Sequence, residues 1–310
     1  MIKLLFDFVQ FLYTLAPLLV SVSVFTLLAV WLSASIKKHA AAYYTVMAIP
    51  FAMMAIPFVV RLFGIEMFGF GRIPFLGGIL RDYVHAGTLG FPLLIIVMYM
   101  GALDAKNPYV KKLLMIRKEL SILSGFPIFT HSLIRVTNNF PNALRFFTGH
   151  EGDMSSADAT HSLGAGISNV SLVLGILLLA LYIPLWVTSF DAVHRRMGGV
   201  RWKKWQRWSY VLYAMLFIHA VGIQVGGMLN PRERGRVEPA VEVTTAPPAH
   251  HQPSQGFETI HVGAQTKRYV HLTSLFLLFG SYLYLRTRRR ERGASAKKSI
   301  RKYDGCRAST

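Results

Sequence analysis

Two histidines, His131 and His219, lie inside apolar runs long enough to cross a bilayer, each about six to nine residues from the same end of its run. An ionisable side chain in hydrocarbon costs roughly 2.5–3.5 kcal/mol on insertion scales, so two at matched depth ask for a use. A neutral imidazole that ligates haem iron escapes most of that cost. The metal takes the ring lone pair and the macrocycle surrounds the ring with apolar surface. The same spacing also suits two unrelated polar residues hydrogen-bonded between helices, and spacing alone leaves both readings open.

The elements that must position these residues follow from composition. Of 310 residues 53% are hydrophobic and only 16% charged, and the charges cluster between long apolar runs. The pattern predicts an all-α, polytopic membrane helical bundle of about seven transmembrane helices. The candidate crossings are residues 8–34, 41–62, 82–103, 113–137, 163–189, 206–228 and 269–286. Residues 63–81 are apolar but interrupted by glycine and proline, which fits an interfacial or re-entrant stretch. The first run is too long for a cleaved signal peptide and reads as a retained helix.

With seven crossings, the segments 35–40, 104–112 with its helix entry, 190–207 and the C-terminal tail share one side. That side holds 23 of the 34 Lys and Arg, so it is expected to be cytoplasmic, with the N-terminus and the loops 138–162 and 229–268 outside. At 1.5 Å per residue, His131 and His219 then lie roughly 9 and 13 Å from the outer ends of their helices. His85, near the outer start of the third crossing, is shallower on the same side.

Other residues near this level extend the constellation. Arg135, four residues after His131, shares its helix face and suits a haem propionate. Arg81 stands four before His85 and equally suits a headgroup. Gly125 and Pro127 are expected to kink or thin the fourth crossing below His131. Gly222 and Gly226 admit either a macrocycle or a neighbouring helix. The boundary stretch Arg201-Trp202-Lys203-Lys204-Trp205-Gln206-Arg207-Trp208 reads as interfacial anchors or as one wall of a flavin or quinone pocket at the inner surface. Cys306 is the sole cysteine and lies in the basic tail without a disulfide partner in the chain. That tail accounts for much of the +19 net charge through attraction to anionic lipid, with no need of nucleic acid. The outer loop, with His250 and His251 in PPAHHQPSQ, is expected to be extended. Its histidines read as solvated before they read as metal ligands, and the loop itself could dock an outside partner.

Three stretches, spanning about residues 81–228, carry a resemblance. They are His85-Ala86-Gly87 leading to Met100-Gly101-Ala102-Leu103; Arg117-Lys118 leading to Phe129-Thr130-His131; and Thr188-Ser189, Arg195-Arg196-Met197-Gly198, Arg201-Trp202 and the closing His219. Together they resemble the ferric reductase-like transmembrane family, and within it the MsrQ (YedZ) group of haem-binding membrane subunits of periplasmic methionine sulfoxide reductase systems. The resemblance implies a six-helix core with His131 and His219 as axial ligands of haem b and His85 at a further histidine position of the family. Where the family has another histidine thirteen residues before the closing one, this chain has Gln206. A glutamine ligates haem poorly, so a single outer haem is expected.

The domain reading is then residues 1–40, an N-terminal transmembrane helix; 41–286, a ferric reductase-like haem-binding membrane domain with the outer loop 229–268; and 287–310, a basic cytoplasmic tail. The expected function is an electron-transfer subunit of a bacterial inner-membrane oxidoreductase. It would pass electrons from quinol or a flavoprotein on the inner side to a periplasmic oxidoreductase, with FMN or a quinone as possible further cofactors. No Gly-rich dinucleotide fingerprint follows a predicted strand, so the donor is expected to be separate. Two histidine ligands close the iron to oxygen chemistry and suit electron transfer. The alternative is a transporter, an assembly factor or a structural anchor whose intramembrane histidines handle protons or metal ions.

Overall fold

The computed structural model describes residues 12, 16–61, 63–65, 89–149, 163–229, 241–244 and 259–307. They are helical apart from turns and one short antiparallel ladder. The helices are α1 (Pro17–Trp31), α2 (Ser33–Lys38), α3 (Ala40–Arg61), α4 (Gly90–Met100), α5 (Pro108–Met115), α6 (Arg117–Thr148), α7 (Leu163–Val187), α8 (Asp191–Met197), α9 (Gly199–Gln206), α10 (Ser209–Leu229) and α11 (Ala264–Arg307). Strands β1 (Val241–Thr244) and β2 (Thr259–Val262) pair in the register Val241 to Val262, inside the loop expected to be extended.

Among the described residues, three helical segments are long and apolar enough to cross a membrane: Ala40–Arg61, Leu163–Val187 and Gly199–Leu229. Pro17–Trp31 and Gly90–Met100 are apolar but shorter. Each of the seven candidate crossings overlaps a described helix, but only three of those helices have the length and apolarity of a span, and the boundaries move. The fourth runs on unbroken from Arg117 to Thr148, 32 residues or about 48 Å, well past the expected end at 137. Pro127 and Pro141 stay inside it, so the expected kink does not end the helix. Large apolar side chains cover the outward faces, among them Leu27, Val46, Val170, Ile218 and Leu277, each more than half exposed. Water would not tolerate such a surface, whereas lipid matches it. The chain is a helical membrane protein.

Six helices close a ring in which α1 packs on α4, α4 on α6, α6 on α7, α7 on α10, α10 on α11 and α11 back on α1. The interior core draws on every member, including Leu18, Ile95, Met98, Tyr182, Leu212, Leu275 and Phe279, with Ile128 and Phe129 packed against it. Helix α3 lies outside this ring, against α6, where Phe51 and Met54 meet Ile134. The N-terminal helix, expected to be an addition to the core, is therefore a ring member, and the helix after it is the peripheral one. Hydrogen bonds tie the middle of α11 back to α4 and the turn after it, among them Tyr99 Oη donating to Leu278 O at 2.7 Å and Arg289 donating to Gly101 O at 2.8 Å.

Local chemistry explains the turns between these helices. Asn107 caps α5 by accepting from the Tyr109 N–H at 2.9 Å, ahead of Pro108 at the first helical position. Gly198, at φ +77°, separates α8 from α9, in a backbone region that a side chain would resist.

Candidate functional site

Helix α7 sets the geometry of the histidine pair because it packs against both helices that carry them. Its partners run antiparallel to it. On α6, Ser124 Oγ lies 3.0 Å from Tyr182 Oη near one end, and Phe146 approaches Gly166 near the other. His131 is seven residues beyond Ser124, and Gly175 is seven residues beyond Tyr182 in the matching direction. Each step is about 10 Å along its helix, so His131 and Gly175 stand level. Ser124, Ile128, His131 and Arg135 follow one another at intervals of four, three and four residues, which makes one stripe of α6. Ser124 turns that stripe toward the ring core.

His219 reaches the same level from α10. Its Nδ1 lies 2.7 Å from Ser171 O, and its ring covers Gly175, where an added Cβ would stand 2.8 Å from Cε1. The hydrogen bond makes Nδ1 the donor, since a carbonyl can only accept, and leaves the Nε2 lone pair free. Arg135 continues the α6 stripe one turn beyond His131. Both histidines are partly buried. Helices α6 and α10 flank α7 without forming a packed pair of their own.

The glycines of α10 take one of their two expected roles. Gly222 admits Ser171 and Gly226 admits Ser168 of α7, each so closely that a Cβ would collide with the hydroxyl. They bring helix to helix. Gly125 of α6 likewise makes room for the Trp186 indole, whose Nε1 donates to Ile122 O at 3.0 Å. The boundary tryptophans divide into two sets. Trp205 and Trp208 are exposed, as anchors are. Trp202 turns inward, donates to Thr188 O at 2.9 Å and meets the His194 ring at a 50° tilt, ring centroids 4.8 Å apart. Gln206 donates to Thr188 Oγ1 at 3.0 Å, and with Trp202 it lines a cavity of about 440 Å³ at the basic end of the bundle.

His85 and Arg81 lie outside the described residues, as do His250 and His251. Among the described residues no three His, Cys, Asp or Glu side chains gather as a metal site. Two features escaped the sequence reading. One is His271, near the start of α11 and partly buried, which follows Arg268 by one turn. The other is Glu119, 2% exposed, with Oε1 at 2.9 Å from Lys37 and 3.6 Å from Lys118. Lys118 goes on to bind Asp191 at 2.8 Å. The Lys118 ammonium, hydrogen-bonded to Asp191, holds that carboxyl below its ordinary value. Both residues had a signal in the sequence, being ionisable groups within candidate crossings.

The fold and the site thus define a helical membrane protein with two imidazoles at one level of a six-helix ring. An uncharacterized protein from Treponema pallidum (strain Nichols) is 32% identical over 141 residues, which cover 45% of this chain and 35% of that protein. The chain thus matches about a third of that relative's length. No family model matches, and no solved structure matches.

Proposed function

We propose that this protein is a haem b electron-transfer subunit of a membrane oxidoreductase, with His131 and His219 as the axial ligands. The observation that carries the reading is the His219 hydrogen bond to Ser171 O. Metal-ligating histidines are regularly held this way, one ring nitrogen donating to a backbone carbonyl and the other left for the metal. The bond would also satisfy a purely structural histidine. The level placement of His131 and the position of Arg135 one turn further along the same stripe favour the ligand reading.

These residues fit the group. A haem held there would supply a one-electron carrier. Gly175 keeps the His219 ring in place from below, Ser171 fixes its tautomer, and Arg135 offers a cation to a propionate. The apolar ring core beneath them excludes water. In this proposal the chain crosses an inner membrane seven times, its basic end cytoplasmic and its N-terminus periplasmic. Electrons come from quinol or a flavoprotein and go to a periplasmic oxidoreductase of the methionine sulfoxide reductase type.

An absorbance spectrum of the detergent-solubilised protein, oxidised and then reduced with dithionite, tests this. The expected result is a b-type spectrum in the wild type that is lost in both His131→Ala and His219→Ala. A colourless protein from haem-replete cells would sink the proposal and leave the transporter or anchor reading.

A further inference from the structure

The cavity at the basic end has two chemically different parts. Its floor is apolar and deeply buried: Leu94, Val97, Leu185 and Leu212 are each no more than 6% exposed. Its rim carries four cations, Arg117, Lys118, Lys203 and Arg207, against one carboxylate, Asp191. Lys118 and Asp191 neutralise each other. Arg117, Lys203 and Arg207 have no carboxylate partner among the described residues. The wall between floor and rim is fixed, because Trp202 and Gln206 both bond to Thr188, itself 3% exposed.

We infer that this cavity holds an anionic glycerophospholipid, its phosphodiester among Arg117, Lys203 and Arg207 and an acyl chain over Leu94, Val97 and Leu212. Unpaired cations around one opening attract a phosphate, and guanidinium groups hold it through two parallel hydrogen bonds. A small soluble anion would leave the apolar floor uncovered, whereas an amphiphile matches both parts. The site also lies where headgroups lie. The same boundary segment presents exposed Trp205 and Trp208 with Arg201 and Lys204 around a second depression of about 360 Å³. The inference does not depend on the histidine pair.

The test uses the full-length protein in nanodiscs of phosphatidylcholine with about one tenth phosphatidylglycerol, a proportion at which surface attraction alone is weak. Native mass spectrometry then counts the lipids retained on release. The wild type is expected to keep one phosphatidylglycerol against the excess zwitterionic lipid. Replacing Arg117, Lys203 and Arg207 together by Gln is expected to lower that retention on the order of a hundredfold, while Arg201→Gln with Lys204→Gln leaves it unchanged. Equal retention of both lipids, or equal loss in both variants, would overturn the inference. So would displacement by millimolar inorganic phosphate, which would mark a site for a free anion. A photoreactive acyl chain on phosphatidylglycerol gives a second measure on the wild type alone. Adducts in α4 and α10 support the site, and adducts only on outward-facing residues contradict it.

Discussion

Gly175 is the floor on which His219 rests: a Cβ at 175 would stand 2.8 Å from Cε1, inside the distance real Cβ atoms keep. The imidazole also bonds to Ser171 on the same helix, so it has no slack along α7. Gly175→Ala is therefore expected to push the ring off its hydrogen bond. If His219 ligates haem, occupancy of the purified protein should fall about tenfold, the scale on which lost support of a ligand is felt. Gly166→Ala, whose Cβ would meet Phe146 at an ordinary 3.5 Å, is the control expected to keep full occupancy.

The histidines should separate by function. If haem binds as proposed, His219→Ala is expected to lose it outright, while His85→Ala and His271→Ala retain it. Pyridine haemochrome content per protein checks all three. Haem in the first variant, or complete loss in either of the others, would mean that the pairing is wrong.

Gly125→Ala addresses the seam between α6 and α7. The Trp186 indole occupies the place of the missing side chain and donates to Ile122 O. Its rings also meet Phe129 edge-on, centroids 4.9 Å apart. Forcing a methyl group into this contact is expected to cost about 1–3 kcal/mol, the usual penalty of overpacking. Thermal unfolding measures the loss, and a red shift of tryptophan emission is expected to accompany it.

The buried carboxylate predicts an order of damage. Lys37→Met takes away the closer of the two cations on Glu119 and leaves the charge in a 2% exposed site. Glu119→Gln removes the charge itself, and Oε2 has no donor to lose. The lysine variant is thus expected to be the less stable of the two. Melting temperatures in one detergent decide it, and the reverse order would mean that Lys118 alone compensates the carboxylate.

Asp191 predicts a pH dependence with a fixed sign. Its folded carboxyl lies below the ordinary value of 3.8, so the ionised form is favoured by folding. The resulting stability is fully present above about pH 4 and is lost as the pH falls through the lower folded value. Asp191→Asn is expected to flatten that acid limb and leave the behaviour between pH 5 and 8 unchanged. Since Asp191 is 55% exposed, the effect should be small and should shrink with added salt.

The location of the helices was legible because lipid imposes one rule on the whole chain: every crossing needs an unbroken apolar run. The order of packing was not. The segment 17–31 looks like an extra helix by sequence, yet Leu18 joins Leu275 and Ile95 in the core, and contacts of that kind leave no local pattern. The end of α6 was misread because Thr137, Asn138 and Asn139 look like a loop. Thr137 and Asn139 instead bond back to carbonyls four residues earlier, Leu133 and Arg135, and the helix continues. His131 and His219 stood out as polar groups in apolar runs. The roles of Gly175 and Ser171 did not, since a small residue matters only through what lies against it.

In the six-helix ring the first helix in chain order, α1, touches the last, α11. Such a ring cannot close while the chain is still being made. Until α11 is made, the wall that joins α10 to α1 is missing and the interior stays open on that side. If the ring holds a haem as proposed, that open side gives the group a way in, and the docking of α11 between α10 and α1 closes it.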